Sequence, residues 1–441
     1  MSFITRGFRG RRQLDAPAER VPPGQYVTPD FPVLSAGPTP RVPLEAWRFT
    51  ITDPLGSERS WTWADFTALP TETVTVDIHC VTKWSKLDTT WEGVSLDTLL
   101  ADGTDRAGGH VLFHSYGGYT TNLPLEDITG GKAWIAFNYD GQPLDPEHGG
   151  PARLLVPHLL LEERQVGGRG DALRFRPSRL LGVVRISQLW GPMAGAALPG
   201  RLNWLIARAT EIIEETDRVR SIVLDCPGWP GHLPGQHIDI RLTAEDGYQA
   251  QRSYSISAPA DGEQVVITVE LVDDGEVSPF LIEGLRVGDQ IEIRGPIGGY
   301  FVWEPSSGGP LQLIGGGSGV APLMSMLRAR VRTGSDVPVR YLSSARSHDD
   351  LIYRSELESI SSEAEEVEVL HTLTRSQPPD WTGLTGRVDR VVLALHVWPA
   401  FTRPLCYVCG PTGFVETVAN SLVALGHQPG RIKTERFGPT N

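Results

Sequence analysis

Near residue 200 the periodicity of the chain changes, and no single domain satisfies both patterns. From 41 to 158 short strand-like runs alternate with turns, at 47–51, 73–78, 110–114, 132–139 and 152–156, with Asp140-Gly141 as a turn signal. That mixture predicts an α+β domain. From 204 the strand-like runs at 219–224, 236–242, 252–257, 265–271 and 290–294 come at short spacing, as in a small antiparallel β-barrel. After Pro305 strands and helices alternate: 311–314, a helix over 322–333, 339–343, a helix near 353–360, then 366–373, 404–408 and a helix over 414–425. This order predicts a parallel α/β domain. The chain is therefore expected to be multidomain: an extended Pro-rich arm (1–40), an α+β domain (41–192), a barrel (203–305) and an α/β domain (306–441). Its 441 residues suffice for each domain to bury a core.

The net charge of −13 argues against nucleic acid and against an anionic membrane as partners, since both favour basic stripes. The four cysteines, Cys80, Cys226, Cys406 and Cys409, are too few and too scattered for a disulfide framework. No run of about 18 apolar residues occurs. Arg6, Arg9, Arg11 and Arg12 are followed by Pro-rich polar sequence where a targeting signal needs an apolar core. A cytoplasmic protein is expected.

Three motifs carry chemistry in the back half. Arg252-Ser253-Tyr254-Ser255 lies on a strand, with Arg252 and Tyr254 on one face and Ser253 and Ser255 on the other. An Arg pairs with phosphate and a Tyr ring stacks on a planar heterocycle, although a polar barrel strand reads the same way. In Gly275-Glu276-Val277-Ser278-Pro279-Phe280-Leu281, Ser278 is read as an N-cap and Pro279 as the first helical residue, which leaves amides free for a pyrophosphate. Gly315-Gly316-Gly317-Ser318-Gly319-Val320-Ala321-Pro322 follows a strand and opens a helix, the context in which backbone approaches a dinucleotide phosphate. Cys409-Gly410-Pro411-Thr412 ends the last strand before a helix. Cys406 and Cys409 have the spacing of a redox pair, but a buried strand explains them better. Glu435-Arg436-Phe437-Gly438 supplies an aromatic ring near the end.

In order, spacing and ending, these motifs resemble the ferredoxin-NADP reductase superfamily over about 203–441. The resemblance implies an FAD barrel followed by a nicotinamide-dinucleotide domain. By it, Arg252, Ser253, Tyr254, Ser255, Val277 and Ser278 bind FAD, and Phe437 covers the flavin. Gly316, Gly317 and Gly319 hold NADP or NAD, with Cys409 as a catalytic residue and Gly410 and Pro411 beside the nicotinamide ring. Arg346, after the second strand, is placed for a 2′-phosphate, which favours NADPH over NADH. Many relatives append a Cys-rich iron–sulfur domain; with no such run up to Asn441, none is expected here.

In the front half, Asp77-Ile78-His79-Cys80-Val81-Thr82-Lys83 sets a cysteine at a strand end with a cation three residues on. A buried structural cysteine is one reading; a thiolate that binds a soft metal is the other. Phe113-His114-Ser115 and His148-Gly149-Gly150-Pro151-Ala152-Arg153 follow, the latter suited to an anionic ligand or to a simple turn. These blocks resemble the sulfite-oxidase-like molybdopterin fold over about 28–158, in particular bacterial members related to the catalytic subunit of protein-methionine-sulfoxide reductase. The resemblance implies that Cys80 ligates molybdenum, that Ser115, His148 and Arg153 hold the pterin and its phosphate, and that Lys83 faces the substrate oxyanion.

Residues 159–200 fit neither half. Family members continue with a WKSAKWV pattern whose Lys grips the pterin phosphate, then an FWE…GYHN…GDPW pattern. Shifted by one nucleotide, with codons chosen freely, 161–167 reads WKSAKWV, 180–193 reads FWESYGYHNYGDPW and 198–203 reads YQGD and a stop. A single-nucleotide slip joining two genes accounts for this; a genuine fusion with a divergent linker is the alternative. Molybdopterin binding is accordingly in question. The expected function is electron flow from NAD(P)H through FAD to a molybdenum centre that reduces an oxygenated, sulfoxide-like small molecule. The rivals are an NAD(P)H-dependent flavin or electron-carrier reductase with a non-functional molybdopterin domain, handing electrons to an external carrier, and a front half that only docks the reductase to a partner.

Overall fold

The computed structural model describes residues 3–9, 20–22, 25–28, 31, 39, 41–52, 58–80, 84–101, 110–115, 120–159, 180–186, 203–273, 275–364 and 366–437. The chain divides into two compact units, one of Gln13–Gly200 and one that joins Met1–Arg12 to Arg201–Pro439. The N-terminal arm is thus not one element: residues 3–9 belong to the second unit and Tyr26–Val27 to the first.

The Gln13–Gly200 unit holds two sheets. In the first, Tyr26–Val27, Trp84–Ser95, Trp134–Tyr139 and Arg153–Leu155 lie side by side, with Glu72–His79 paired to Trp84–Ser95. In the second the order is Glu58–Thr62, Arg48–Thr52, Leu180–Ile186, His110–Ser115 and Thr120–Pro124. Alternation sets the core: Phe49 and Ile51 of Arg48–Thr52 point inward while their neighbours do not. Trp47, Phe49, Phe66 and Phe113 are fully buried together there, and each contributes about 1.5–3 kcal/mol of transfer free energy. Of the 159–200 segment, only Leu159 and Leu180–Ile186 are described. The latter pairs antiparallel with Arg48–Thr52 and parallel with His110–Ser115. The out-of-frame readings of 161–167, 187–193 and 198–202 fall outside the described residues.

The second unit opens with six antiparallel strands in the order Gln249–Ser255, His237–Thr243, Gln290–Ile297, Leu205–Thr216, Val219–Asp225 and Gln264–Glu270. A bridge from Ile256 to Ile267 draws the outer strands together. Inside lie Leu224 and the β-branched Ile222, Ile238, Ile240, Val265, Ile267, Ile291 and Ile293, as expected of pleated strands. A parallel sheet follows in the order Leu384–Thr385, Val367–Leu373, Val339–Ala345, Leu311–Gly316, Leu405–Pro411 and Ile432–Phe437. Leu311–Gly316 is buried at every residue, as the middle strand of a sheet with both faces covered must be. Helices Val320–Arg332, Arg354–Glu363, Arg390–His396 and Thr412–Ala424 cover it.

Barrel and parallel sheet are fastened to each other by helix Val320–Arg332. Ser325 Oγ donates to Ala258 O at 3.0 Å and Arg328 Nη1 to Ser257 O at 2.7 Å. Among the described residues no helix is long and apolar enough to cross a membrane.

One glycine tests the front sheet. A Cβ at Gly93 would meet Ile135 O at 2.5 Å, across the pairing of Trp84–Ser95 with Trp134–Tyr139. Gly93→Ala is expected to destabilise this unit by about 1–3 kcal/mol, measured as a lower midpoint in chemical unfolding.

Candidate functional site

In the second unit the sheet order reverses between Leu311–Gly316 and Leu405–Pro411, which are neighbours although three strands separate them in sequence. Ligands of open parallel sheets bind at such a switch point, beyond the carboxyl ends of the strands. The glycine-rich turn and Cys409-Gly410-Pro411 meet there. Gly317 has a φ of 55°, a left-handed conformation that favours glycine. A Cβ on Gly319 would lie 2.3 Å from Cys409 O, and one on Gly316 would lie 3.0 Å from the Phe414 ring. Side chains are excluded so that bare backbone lines the turn, a cradle shaped for a phosphate-bearing dinucleotide.

The last strand completes this site. Cys409 pairs with Glu435, Gly410 with Arg436 and Pro411 with Phe437. Arg436, almost wholly enclosed, donates to Glu416 of helix Thr412–Ala424 at 2.6 Å and to Thr434 Oγ1 at 2.8 Å. A buried ion pair of this kind fixes the strand's register more than it adds stability. Phe437 packs on the sheet core. Burial pushes the Cys409 thiol well up, and the neighbouring Glu435 carboxylate pushes it further. Glu435 is partly accessible as a residue, yet its carboxyl lies deep enough that burial raises it to about 8. Glu435 has no local signal of a role in the site, because its pairing with Cys409 is cross-strand. Cys406 points to the opposite face of the sheet from Cys409, into the apolar cluster with Val408 and Ile432. The two cysteines do not form a redox pair.

The barrel side of the site is the strand Gln249–Ser255. Tyr254 packs on the barrel core and its hydroxyl is pushed up by burial. Ser253 Oγ donates to Asp239 at 2.6 Å, and Asp239 also accepts from Arg294 at 2.6 Å. Ser253 is thus engaged within the barrel wall. Arg252 donates to the Gln251 carbonyl at 2.7 Å. The residues directly after Ser255 are those held by helix Val320–Arg332, so the Arg252–Ser255 strand and the glycine-rich turn are brought together. Near them, the Glu270 carboxylate would be 3.8 Å from a Cβ on Gly317.

Ser278 is not the N-cap that the sequence suggested. The helical turn Val277–Pro279 has Glu276 at its cap, and Ser278 Oγ instead accepts the Val272 N–H at 3.1 Å. The helix begins before Ser278, so the hydroxyl turns back on the preceding loop. Val277 is fully buried in the barrel core. Arg346 follows the strand Val339–Ala345 and is exposed; its carbonyl accepts the Arg375 N–H at 2.9 Å. Arg375, also exposed, lies just past the next parallel strand and was missed in sequence, because that pairing spans 29 positions.

In the front unit, Cys80 is fully buried at the end of Glu72–His79. Its N–H donates to Trp84 O at 2.9 Å and Gln25 Nε2 donates to its carbonyl at 3.1 Å. Ser85 bridges Gln25 and His79. Cys80 shares an apolar cluster with Phe31, Trp84 and Trp91. Arg153 lies against the same rings, 5.6 Å from Trp91 and 5.9 Å from Phe31, and donates to the His148 carbonyl at 3.0 Å. Burial lowers Arg153 to about 10 while the Cys80 thiolate opposes that shift. His148 stacks on Phe31 at 4.0 Å, and burial followed by Arg153 lowers it to about 4. Gly150 must be glycine here, since a Cβ would lie 1.8 Å from Leu144 O.

Cys80, His148 and Arg153 are therefore brought together. Ser115 ends the strand His110–Ser115, and Lys83 lies outside the described residues. Gln25 and Phe31, from the arm, were not anticipated. Among the described residues no cluster of three or more His, Cys, Asp or Glu is arranged to hold a metal. One enclosed thiol beside a buried cation fits a soft metal that arrives with an anionic organic cofactor supplying its other ligands, not a protein-only metal cage.

Because Glu435 titrates higher folded than unfolded, its stability contribution is full below about 4.5 and is lost as pH rises through about 8. Glu435→Gln is expected to remove that loss, on the order of 4 kcal/mol between pH 5 and 9. Thermal unfolding across this range would show it; parallel curves for the two proteins would contradict it.

Comparison with known proteins identifies three domains. Residues 36–163 match the oxidoreductase molybdopterin binding domain, 210–302 the oxidoreductase FAD-binding domain and 313–420 the oxidoreductase NAD-binding domain. The uncharacterized oxidoreductase YuiH of Bacillus subtilis is 39% identical over 154 residues, covering 34% of this chain and 77% of that protein. The glycine betaine monooxygenase reductase subunit of Chromohalobacter salexigens is 33% identical over 246 residues, covering 55% of this chain and 65% of its own length. The ferredoxin reductase in carbazole 1,9a-dioxygenase shares the fold, with a TM-score of 0.50 at 18% identity over 75% of this chain and 99% of that one. The chain belongs to the molybdopterin-binding oxidoreductases through its front part and carries behind it the FAD-binding and NAD-binding domains of a ferredoxin-reductase-type enzyme.

Proposed function

We propose that this oxidoreductase passes electrons from NAD(P)H through FAD to a molybdenum centre that reduces an oxygenated, sulfoxide-like small molecule. The observation that carries the reading is the enclosure of Cys80 with Arg153 and His148 in a chain that also holds a flavin and nicotinamide site. When bound, FAD converts two-electron hydride donation into electron delivery, and a molybdopterin provides oxygen-atom chemistry. The chain's own residues position and shield. Cys80 gives one thiolate ligand, Arg153 meets the cofactor's phosphate, and His148, neutral at physiological pH, adds a hydrogen-bonding edge without charge. Ser115 and Lys83 complete the pterin and substrate contacts. On the flavin side Arg252, Tyr254 and Ser255 line the isoalloxazine and phosphate, Val277 shapes the adjoining turn, and Phe437 covers the ring. Gly316, Gly317, Gly319, Gly410 and Pro411 seat the nicotinamide dinucleotide. Cys409 excludes water beside the nicotinamide, and Glu435 holds a proton there near neutral pH. We place the reaction in the cytoplasm, where NAD(P)H is supplied.

A second reading is favoured by one observation. After the Arg153 strand the sequence lacks the phosphate-gripping pattern of the molybdopterin family, so the reductase would work alone and serve an external electron acceptor. Metal analysis separates the two. Purified chain with one molybdenum per FAD supports the first; Cys80→Ser should then lose the metal and sulfoxide reduction while keeping FAD and NAD(P)H-driven reduction of ferricyanide. FAD without molybdenum supports the second.

Arg346 and Arg375, adjacent and exposed at the carboxyl ends of neighbouring strands, form a cationic fork for a 2′-phosphate. Replacing both by Ala is expected to raise KM for NADPH at least tenfold and to change KM for NADH less than twofold. Equal effects on the two coenzymes would remove the NADPH preference from this reading.

A further inference from the structure

The first residues of the chain pack into the flavin half, although the whole molybdopterin-binding unit separates them from it in sequence. Thr5 N–H donates to Thr243 O at 2.8 Å, and Thr243 N–H donates to Thr5 Oγ1 at 3.0 Å. Thr5 is 2% exposed and Phe8 5%. Gly7, at φ 77°, turns the chain so that Phe8 N–H reaches back to Thr5 O at 3.2 Å. Phe8 then enters the barrel core, 6.5 Å from the Tyr248 ring and edge-on to Phe280 at 5.7 Å. Arg6 Nε donates to Asp289 at 2.8 Å on the rim.

The two rings that Phe8 touches flank one functional segment. Tyr248 OH donates to the Glu276 carboxylate at 2.8 Å, and Phe280 follows Val277-Ser278-Pro279 directly. From these contacts we infer that residues 3–9 are a latch of the flavin site and that Phe8 is a positioning residue for FAD. It backs the Glu276–Phe280 turn from the inside, so FAD retention depends on a side chain about 270 residues away in sequence. Shrinking Phe8 leaves Tyr248 and Phe280 without their shared neighbour and lets the turn relax. The inference rests on the reading of Val277 and Ser278 as FAD contacts.

Hydrogen exchange and FAD titration on the full chain test it. In the wild type, residues 3–9 and the Thr243 amide are expected to be protected. Phe8→Ala should lose protection at 3–9 and 276–280, while Val219–Asp225 and Gln264–Glu270 on the far strands keep theirs. Its FAD dissociation constant, read by flavin fluorescence, should rise at least fivefold, and Phe8→Leu should recover most of that loss. Residues 3–9 exchanging like a free peptide in the wild type would overturn the latch. So would a protected latch whose Phe8→Ala and Phe8→Leu variants bind FAD as tightly as the wild type. A wild-type chain that binds no FAD at all would overturn the flavin reading itself and this positioning role with it.

Discussion

The approach of Gly319 to the Cys409 carbonyl is the constraint on which the reductase site depends. A single methyl there would sit 2.3 Å from a backbone oxygen, inside any tolerable contact, so the glycine turn and the last-but-one strand can lie together only while that position is bare. Their meeting places the first and fifth parallel strands side by side. It also brings the Cys409-Gly410-Pro411 segment over the turn, and the final strand then delivers Glu435 and Phe437 to the same edge. The buried Arg436–Glu416 pair holds that final strand in register from the opposite face. Removing either partner would leave an enclosed charge without its ion-pair partner, a cost several times that of losing a surface pair.

The front unit solves a different problem: how to keep a guanidinium inside an aromatic box. Arg153 is lowered by its surroundings but remains a cation at physiological pH. It is compensated by the His148 carbonyl, by the faces of Trp91 and Phe31 and by the thiol of Cys80 nearby. Hydrogen bonding and ring faces offset only part of the desolvation of a full charge. The residual deficit would favour an anion beside Arg153.

Legibility in the sequence followed the range of the interactions. Helix Val320–Arg332, the strand before it and the glycine turn between them were readable because Gly315–Gly319 and Pro322 act within a few residues. The three-part order of folds was readable for the same reason, since period and spacing are local. Ser278 misled because a Ser-Pro pair signals a helix start, whereas Glu276 already holds the cap and the hydroxyl answers to Val272. Glu435 beside Cys409, and Arg375 beside Arg346, are cross-strand neighbours and leave no mark at any short spacing. Gln25 and Phe31 were hidden more deeply. They come from a Pro-rich arm that reads as linker, and only the parallel pairing of Tyr26–Val27 with Trp84–Ser85 carries them to Cys80.

The chain leaves the reductase unit after Arg12 and rejoins it at Arg201, so in sequence the Gln13–Gly200 unit is an insert, attached to the other unit at both of its ends. Such a tether survives a single cut. A protease that severs the backbone between the front unit and the barrel would still leave Thr5 and Phe8 seated on Thr243, Tyr248 and Phe280. The two fragments would then be held together by that grip alone, with no covalent linker to raise their effective concentration. The same geometry would serve two separately translated polypeptides, because the grip needs only the first few residues of one and the barrel of the other.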